Sequence, residues 1–570
     1  MRRMFKCRMW IAGLFVLLGT SAFAQQDIKQ DPGYKESLAS IESQLKRGDV
    51  GNALNSIEAT IAKYPQGAEV FYAKSLLFAQ ARNLEVAIPA AERAVEIDPA
   101  NLMFGNHLME LYKTEGDFDS AVGLIDKVIN EHKDKPELFR EKIMLLHAAK
   151  KSEDALKEYE ATKAKFGESD TLDVLKAEIL MDLKRPDDAK QVLQAWDKRK
   201  SPIRQVYSTL SYIYLDEKNS KDALAVLERG IQNSKDDLLY LDLADAYNAA
   251  NKEKLAFDYV KKAFESDKVN FLDKHRVMMT VLNGKSTLTL DQKQELANLL
   301  VLKHPRIPDT HMFKGDILWQ KGELTQAKSL FLTTVGMNPR HIDAWSKLIN
   351  IDLNLNQLDE AIQHGNEALT HNPGSPVLTY FVGMAHFIKK DNEQARQYLE
   401  GALDQSANEN GFVQSMIYAG LGDLYHELDM ESASDVAYEE AITRDSTNVT
   451  AMNNYAYYLS ERKENLDKAA EYAARANEFE PNSGTFQDTY AWVLFQRGDY
   501  KEALVWMERA VKNSEPSAVL FEHYGDILMK LGKSKEALKQ WERALSSADA
   551  SNAVDKDKLK RKISEKKYLD

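Results

Sequence analysis

Apolar and polar positions along this chain follow a helical rhythm that is itself repeated. Tyr207, Leu210, Ser211 and Tyr214 recur as Tyr240, Leu243, Ala244 and Tyr247, and again as Tyr418, Leu421, Gly422 and Tyr425. Steps of three, one and three put an aromatic, a branched apolar residue and a small residue on one stripe, the small one admitting a neighbouring helix. That predicts a first amphipathic helix. After a turn typified by Arg497-Gly498-Asp499 or Leu531-Gly532-Lys533, steps of four and three predict a second, as in Ala503, Met507 and Ala510 or Ala537, Trp541 and Ala544. Pro65, Pro99, Pro339, Pro373 and Pro481 each stand twelve residues past an alanine of that second stripe. A ring without an N–H ends a helix there. Each unit is expected to be a helical hairpin closed by a stop.

The alanines set the period. Ala53, Ala87, Ala121, Ala155, Ala189 and Ala223 stand 34 residues apart, and Ala327, Ala361 and Ala395, then Ala469, Ala503 and Ala537, resume the same step. A fixed step of this length means one supersecondary unit copied along the chain, so the fold is an array. The interval of 71 residues from Ala256 to Ala327, and of 39 from Ala395 to the equivalent Ser434, read as insertions. This grammar of aromatic, Leu-Gly, Tyr, then Ala, a large residue, Ala and Pro resembles the tetratricopeptide repeat, from about Tyr34 to about Leu545. The resemblance implies an all-α fold, a right-handed α-solenoid superhelix of stacked helical hairpins, in about fifteen repeats.

The expected organisation is a signal peptide over 1–24, a linker over 25–33, an N-terminal array over 34–270, an irregular repeat over 271–308, a C-terminal array over 309–548 and a charged helix over 549–570. Arg2, Arg3, Lys6 and Arg8 precede an apolar run from Met9 to Leu18 and then Ala22-Phe23-Ala24, which reads as a secretory signal cleaved before Gln25. Arg2-Arg3 also faintly resembles a twin-arginine signal. Cys7 is the single cysteine and precedes the apolar run, so no lipid-bearing cysteine sits at the cleavage point and the mature chain has no thiol for a disulfide. Export to a Gram-negative periplasm, with no integral membrane span after signal removal, is the expectation. In the irregular segment, Asn283-Gly284-Lys285-Ser286 is followed by Asp291 as N-cap of a helix through Leu302, giving a degenerate repeat with a long inner loop and the option of a hinge. Lys556, Lys558, Lys560, Arg561 and Lys562 mark the terminal helix as a cap on the last hairpin, with partner contact as the alternative.

Charge narrows the partners. The formal charge is -13, and removing a signal with four basic and no acidic residues leaves -17. Such a surface repels nucleic acid and anionic lipid, leaving basic or apolar protein segments as partners. Catalytic spacings fail one by one. Gly284-Lys285-Ser286 lacks the first glycine of a phosphate loop, since that place holds Met279. His426-Glu427 has Met430 where a helical zinc protease needs its second histidine, and His304, His311, His341, His364, His371 and His386 fit no ligand spacing. No cofactor or metal is expected, and no enzymatic activity.

The resemblance places a binding groove on the first helix of each hairpin, at the fifth, ninth and twelfth positions of the repeat. Transferred here, those places hold Tyr72, Asn106 and Glu110, then Tyr212, Asp245 and Asn248. Beyond the irregular segment they hold Asp316, Trp319, Asn350, Tyr380, Met384, Phe387 and Asp423. The last repeats add Asn454, Tyr458, Asp488, Trp492, Phe495 and Asp526. Aromatic side chains interleaved with carboxylates and amides suit extended basic or apolar segments. The expected function is that of a non-enzymatic exported scaffold in envelope assembly or maintenance. Two alternatives stand beside it: an adaptor presenting substrates to a C-terminal-processing protease or a peptidoglycan hydrolase, and a glycan-acting enzyme.

Overall fold

Small side chains in the second helices let the two arms of each hairpin close. In the computed structural model, which describes residues 28–284, 286–547 and 554–569, all twelve alanines of the three 34-residue ladders are without exposed surface and the equivalent Ser434 is buried. The expected signal segment 1–24 with Cys7 lies outside the described residues, as do residues 25–27, Lys285, 548–553 and Asp570.

The chain divides into two units, Met1–Asn270 and Phe271–Asp570. In the first, seven hairpins follow one another: Pro32–Lys46 with Val50–Lys63, Ala68–Gln80 with Leu84–Ile97, Leu102–Glu115 with Phe118–Glu131, Pro136–Ala148 with Ser152–Phe166, Asp170–Asp182 with Pro186–Lys198, Arg204–Asp216 with Ser220–Ser234, and Leu239–Ala249 with Glu253–Glu265. The second has eight: Phe271–Leu282 with Leu290–Lys303, Pro308–Gln320 with Leu324–Met337, Ile342–Asn354 with Leu358–His371, Pro376–Ile388 with Asn392–Gln405, Gly411–Glu427 with Glu431–Arg444, Val449–Arg462 with Leu466–Phe479, Gly484–Arg497 with Tyr500–Asn513, and Ala518–Lys530 with Ser534–Ser547. A single helix, Lys556–Glu565, follows. Among the described residues there is no strand, and no helix is long and apolar enough to cross a membrane. Within each unit, helices touch their sequence neighbours, and first helices of successive hairpins also meet, as Val449–Arg462 meets Gly484–Arg497. Each unit is an α-solenoid.

Two devices fix the hairpin. The first is a small residue opposite a large one. A Cβ added at Gly315 would fall 2.6 Å from the Phe331 ring, at Gly422 2.8 Å from Tyr438, and at Gly525 2.4 Å from Trp541, so only hydrogen fits where the second helix lays its ring on the first. The second is a left-handed residue closing each turn. In the first unit Gly48, Arg82, Gly116, Lys150, Lys184, Lys218 and Asn251 all have positive φ, each five places before a buried alanine. That backbone lets the Asn219 N–H reach the Tyr214 carbonyl at 2.8 Å and satisfy a carbonyl that the helix end would orphan. Most of these places hold lysine, arginine or asparagine, at a cost of roughly 1 kcal/mol each against glycine. Helix ends follow the prolines: Tyr64, Asp98, Asn338, Asn372 and Glu480 are C-caps, each directly followed by Pro.

Both insertions keep the hairpin plan. The longer interval holds the hairpin Phe271–Leu282 with Leu290–Lys303, whose second helix is capped by Thr289 and not by Asp291: Gln292 N–H donates to Thr289 Oγ1 at 3.3 Å while Thr289 N–H donates to Gln292 Oε1 at 2.9 Å. A hydroxyl capping box wins because it satisfies two orphan donors at once. The shorter one is taken up by a first helix of 17 residues, Gly411–Glu427.

Candidate partner-binding surface

The ninth position of the repeat lies eleven residues before the buried alanine, on the first helix. In five consecutive hairpins of the first unit it holds Glu110, Met144, Glu178, Tyr212 and Asp245, every one exposed, Met144 at 46% and Tyr212 at 62%. Acid and apolar side chains therefore alternate, hairpin by hairpin, along one row. Burial raises the Glu178 carboxyl, and burial followed by the charge of Asp242 raises that of Asp245. Both carboxyls are exposed and still partly desolvated by the protein around them. Met144 and Glu178 belong to this row although the sequence reading did not single them out; the same offset finds them.

The other residues expected in the first unit are placed less freely. Asn106 and Asn248 are exposed. Glu110 pairs with Lys113 at 2.5 Å, one turn along its own helix. Tyr72 is half-buried, tilted on Phe104 at 4.9 Å and edge-on to His107 at 5.2 Å, so the next hairpin covers it.

In the second unit the chain itself occupies most of the expected groove side chains. Asp316 accepts from Lys347 at 2.6 Å, and Asn350 from Asn354 at 2.8 Å. Trp319 packs edge-on to Phe331. Tyr380 and Met384 lie against Gly420 of the following hairpin, while Phe387 packs in the same cluster. Asp423 accepts from Tyr438, from Asn454 at 3.1 Å and from Tyr458 at 3.4 Å, and burial raises its carboxyl against those three donors. Tyr458 is stacked on His426 at 3.7 Å. Trp492 is sandwiched by His523 at 4.0 Å and Phe495 at 4.9 Å, and its indole N–H donates to Glu461 at 2.6 Å. Asp488 faces His523 at 3.0 Å; burial opposes the imidazolium, but Asp488, Asp526 and Glu461 hold it above the ordinary histidine range. Trp492, Phe495 and Asp526 are buried and not open to solvent. Asp526 accepts from Trp541 at 2.9 Å and from Lys562 at 2.9 and 2.7 Å, and burial pushes its carboxyl up to about 6.

The second unit thus ties its later expected residues into two groups of stacked rings and hydrogen bonds, one around Asp423 with Asn454 and Tyr458 and one around Trp492 with Asp488 and Phe495. The sequence reading placed none of His426, Glu461, Glu522, His523 and Lys562 in the groove. Among the described residues, no group of three or more His, Cys, Asp or Glu is placed to hold a metal ion. Chemically the second unit offers a polar and aromatic wall, and the first an exposed row.

A tetratricopeptide-repeat family model matches residues 38–101 and 314–376, one stretch in each unit. Those two stretches are similar to tetratricopeptide repeats. A model described as the anaphase-promoting complex, cyclosome, subunit 3 matches residues 462–544. None of the curated proteins matches the sequence. Similar solved structures include the APC/C hetero-tetramer Cut9–Hcn1, at TM-score 0.39 and 15% identity over 81% of this chain and 96% of that one. Yeast Tom70 follows at 0.32 and 17% over 89% and 96%, and a tetratricopeptide repeat protein from Parabacteroides merdae at 0.34 and 17% over 45% and 98%.

Proposed function

We propose that this repeat protein is an exported, non-enzymatic scaffold that grips segments of envelope proteins along the ninth-position row of its first unit. The observation that carries the proposal is the exposed alternation Glu110, Met144, Glu178, Tyr212, Asp245. Packed helices stand about 8–10 Å apart, so successive row residues are spaced by about three residues of a polyproline II segment at ~3.1 Å each, whose threefold period turns every third side chain to the same face. A segment with basic and apolar side chains alternating at that step meets each acid with a cation and each apolar residue with an apolar one. The net acidity of the chain favours the same partners. Export rests on the basic residues, the apolar run and Ala22-Phe23-Ala24 at the start of the sequence.

The test uses protein recovered from the periplasmic fraction, whose mass should begin at Gln25. A photo-crosslinking residue at Tyr212 should trap envelope proteins that the same residue at exposed Val436 does not. The double change Glu178→Lys and Tyr212→Lys should weaken capture by about tenfold or more, since both positions are exposed and their loss leaves the core intact. Undiminished capture by that variant sinks the assignment. Trp492 and Asp526 are unsuitable probes, because replacing them disturbs packing as well as any contact.

A further inference from the structure

The helix Lys556–Glu565 and the tail to Leu569 are held unlike any hairpin of the array. Only Leu559 and Lys562 of this helix are buried, against eight residues of the first helix of the last hairpin, Ala518–Lys530. Leu559 enters a small cluster with Phe521, Trp541 and Ala544. Lys556, Lys560, Arg561, Lys566 and Lys567 remain exposed. Beside Leu559 and the partly buried Ile563, the segment places one amine and one ring inward. Lys562 Nζ donates to both oxygens of Asp526, at 2.9 and 2.7 Å, and to Glu522 at 2.7 Å. Tyr568 lies 5.4 Å from the Phe495 ring and receives the Lys530 ammonium over its face at 4.3 Å.

The places these two side chains touch are groove positions. Glu522 and Asp526 are the fifth and ninth residues of the last repeat, and Phe495 is the twelfth of the one before. A helix that merely closed the end of the stack would need no reach back to Phe495. Charge agrees: Asp488 and Glu461 lie in the adjoining repeats, and the segment is strongly basic. We propose that residues 554–569 are an internal ligand of the groove, holding its last seat until a protein segment presenting a lysine and an aromatic ring at similar spacing displaces them. This rests on the proposed role of the groove in binding protein segments. The exchange is favoured by the segment's thin apolar anchorage and by ion pairs that an incoming lysine restores.

The experiment uses the full mature chain. Hydrogen exchange should be about 100-fold faster in 556–565 than in 518–530, because a docked ligand opens without the hairpin beneath it. Equal rates make the helix a fixed cap and overturn the proposal. A labelled peptide of residues 554–570, added in trans, should bind Lys562→Ala at least about tenfold more tightly than the unaltered chain, where the seat is mostly filled. Glu522→Gln added to Lys562→Ala should weaken that binding, and so should alanine in the peptide at the place of Lys562. Equal peptide affinity for both chains, or indifference to those changes, also overturns it. Should the exchange and peptide results hold while neither chain captures an envelope protein, the scaffold reading falls and the internal ligand stands. If capture occurs but Lys562→Ala leaves peptide binding unaltered, the reverse follows.

Discussion

Replacing Trp541 by alanine is expected to unfold the last hairpin well ahead of the rest of its unit. The ring is wholly buried, lies on Gly525 where no Cβ fits, and donates to Asp526 at 2.9 Å. Emptying that space costs about 3–5 kcal/mol, the usual range for a buried large aromatic. It also removes the surface over which Lys562 sits, 5.9 Å from the ring. In a solenoid, stability is close to a sum of repeat and nearest-neighbour terms, so the loss stays at the end of the stack. Amides of 518–547 should lose protection at urea concentrations that leave 342–405 intact. Trp541→Phe keeps most of the volume and withdraws one donor from a carboxylate that Lys562 still pairs, at a cost of about 1 kcal/mol. A single cooperative transition in the alanine variant, with no early exchange at 518–547, would contradict this account.

The fold was legible because packing repeats what sequence repeats. Ala87 or Ala503 is small for the same reason in each copy, and Pro99 or Pro481 ends a helix by removing a donor whatever surrounds it. The turns were less legible. Gly498 and Gly532 suggested that glycine marks them, yet Arg82, Lys150, Lys184 and Lys218 take the same left-handed backbone. Position, five residues before the buried alanine, is the signal there; residue type is not, because the strain of one exposed lysine is small beside a hairpin's packing. Thr289 displaced Asp291 as cap for a local reason, the reciprocal bonds it makes with Gln292.

The groove offsets lead mostly to exposed side chains in the first unit and mostly to side chains that the chain itself engages in the second. An offset says which way a side chain faces, and where nothing else reaches, as at Tyr212 and Asp245, facing is enough. It does not say what arrives from elsewhere. Asp423 and Asp526 each find a polar-tipped ring fifteen residues on, at Tyr438 and Trp541, on the second helix of the same hairpin. Asp245 and Asp316 find Val260 and Phe331 at that distance, which donate nothing. The spacing of carboxylate and ring donor was present in the sequence and marks Asp423 and Asp526; Asp316 is tethered without it, by Lys347 at 2.6 Å. Lys562 had no such signal, because it comes from outside the repeats and obeys no offset.

Acid should weaken the first unit through one histidine. His107 Nε2 lies 2.8 Å from Ser75 Oγ, and that hydroxyl gives its proton to the Ala87 carbonyl at 2.8 Å, so the ring must carry the hydrogen on Nε2 and donate it. Burial holds the imidazole neutral and lowers its pKa from 6.5 to about 4. Between those values the unfolded chain binds a proton there and the folded chain does not, so stability is complete above pH 6.5 and falls as the pH drops towards 4. At 1.36 kcal/mol per unit the full loss is about 3 kcal/mol. His107→Gln keeps an N–H donor of similar reach and does not titrate. Measured by urea unfolding, with amide exchange over 68–131 to localise it, the unaltered chain should lose about 2–3 kcal/mol more than the glutamine variant between pH 7.5 and pH 4.5. Equal losses in the two chains would mean that the ring is protonated in the folded protein as readily as in the unfolded one, and that the Ser75 contact tolerates its charge.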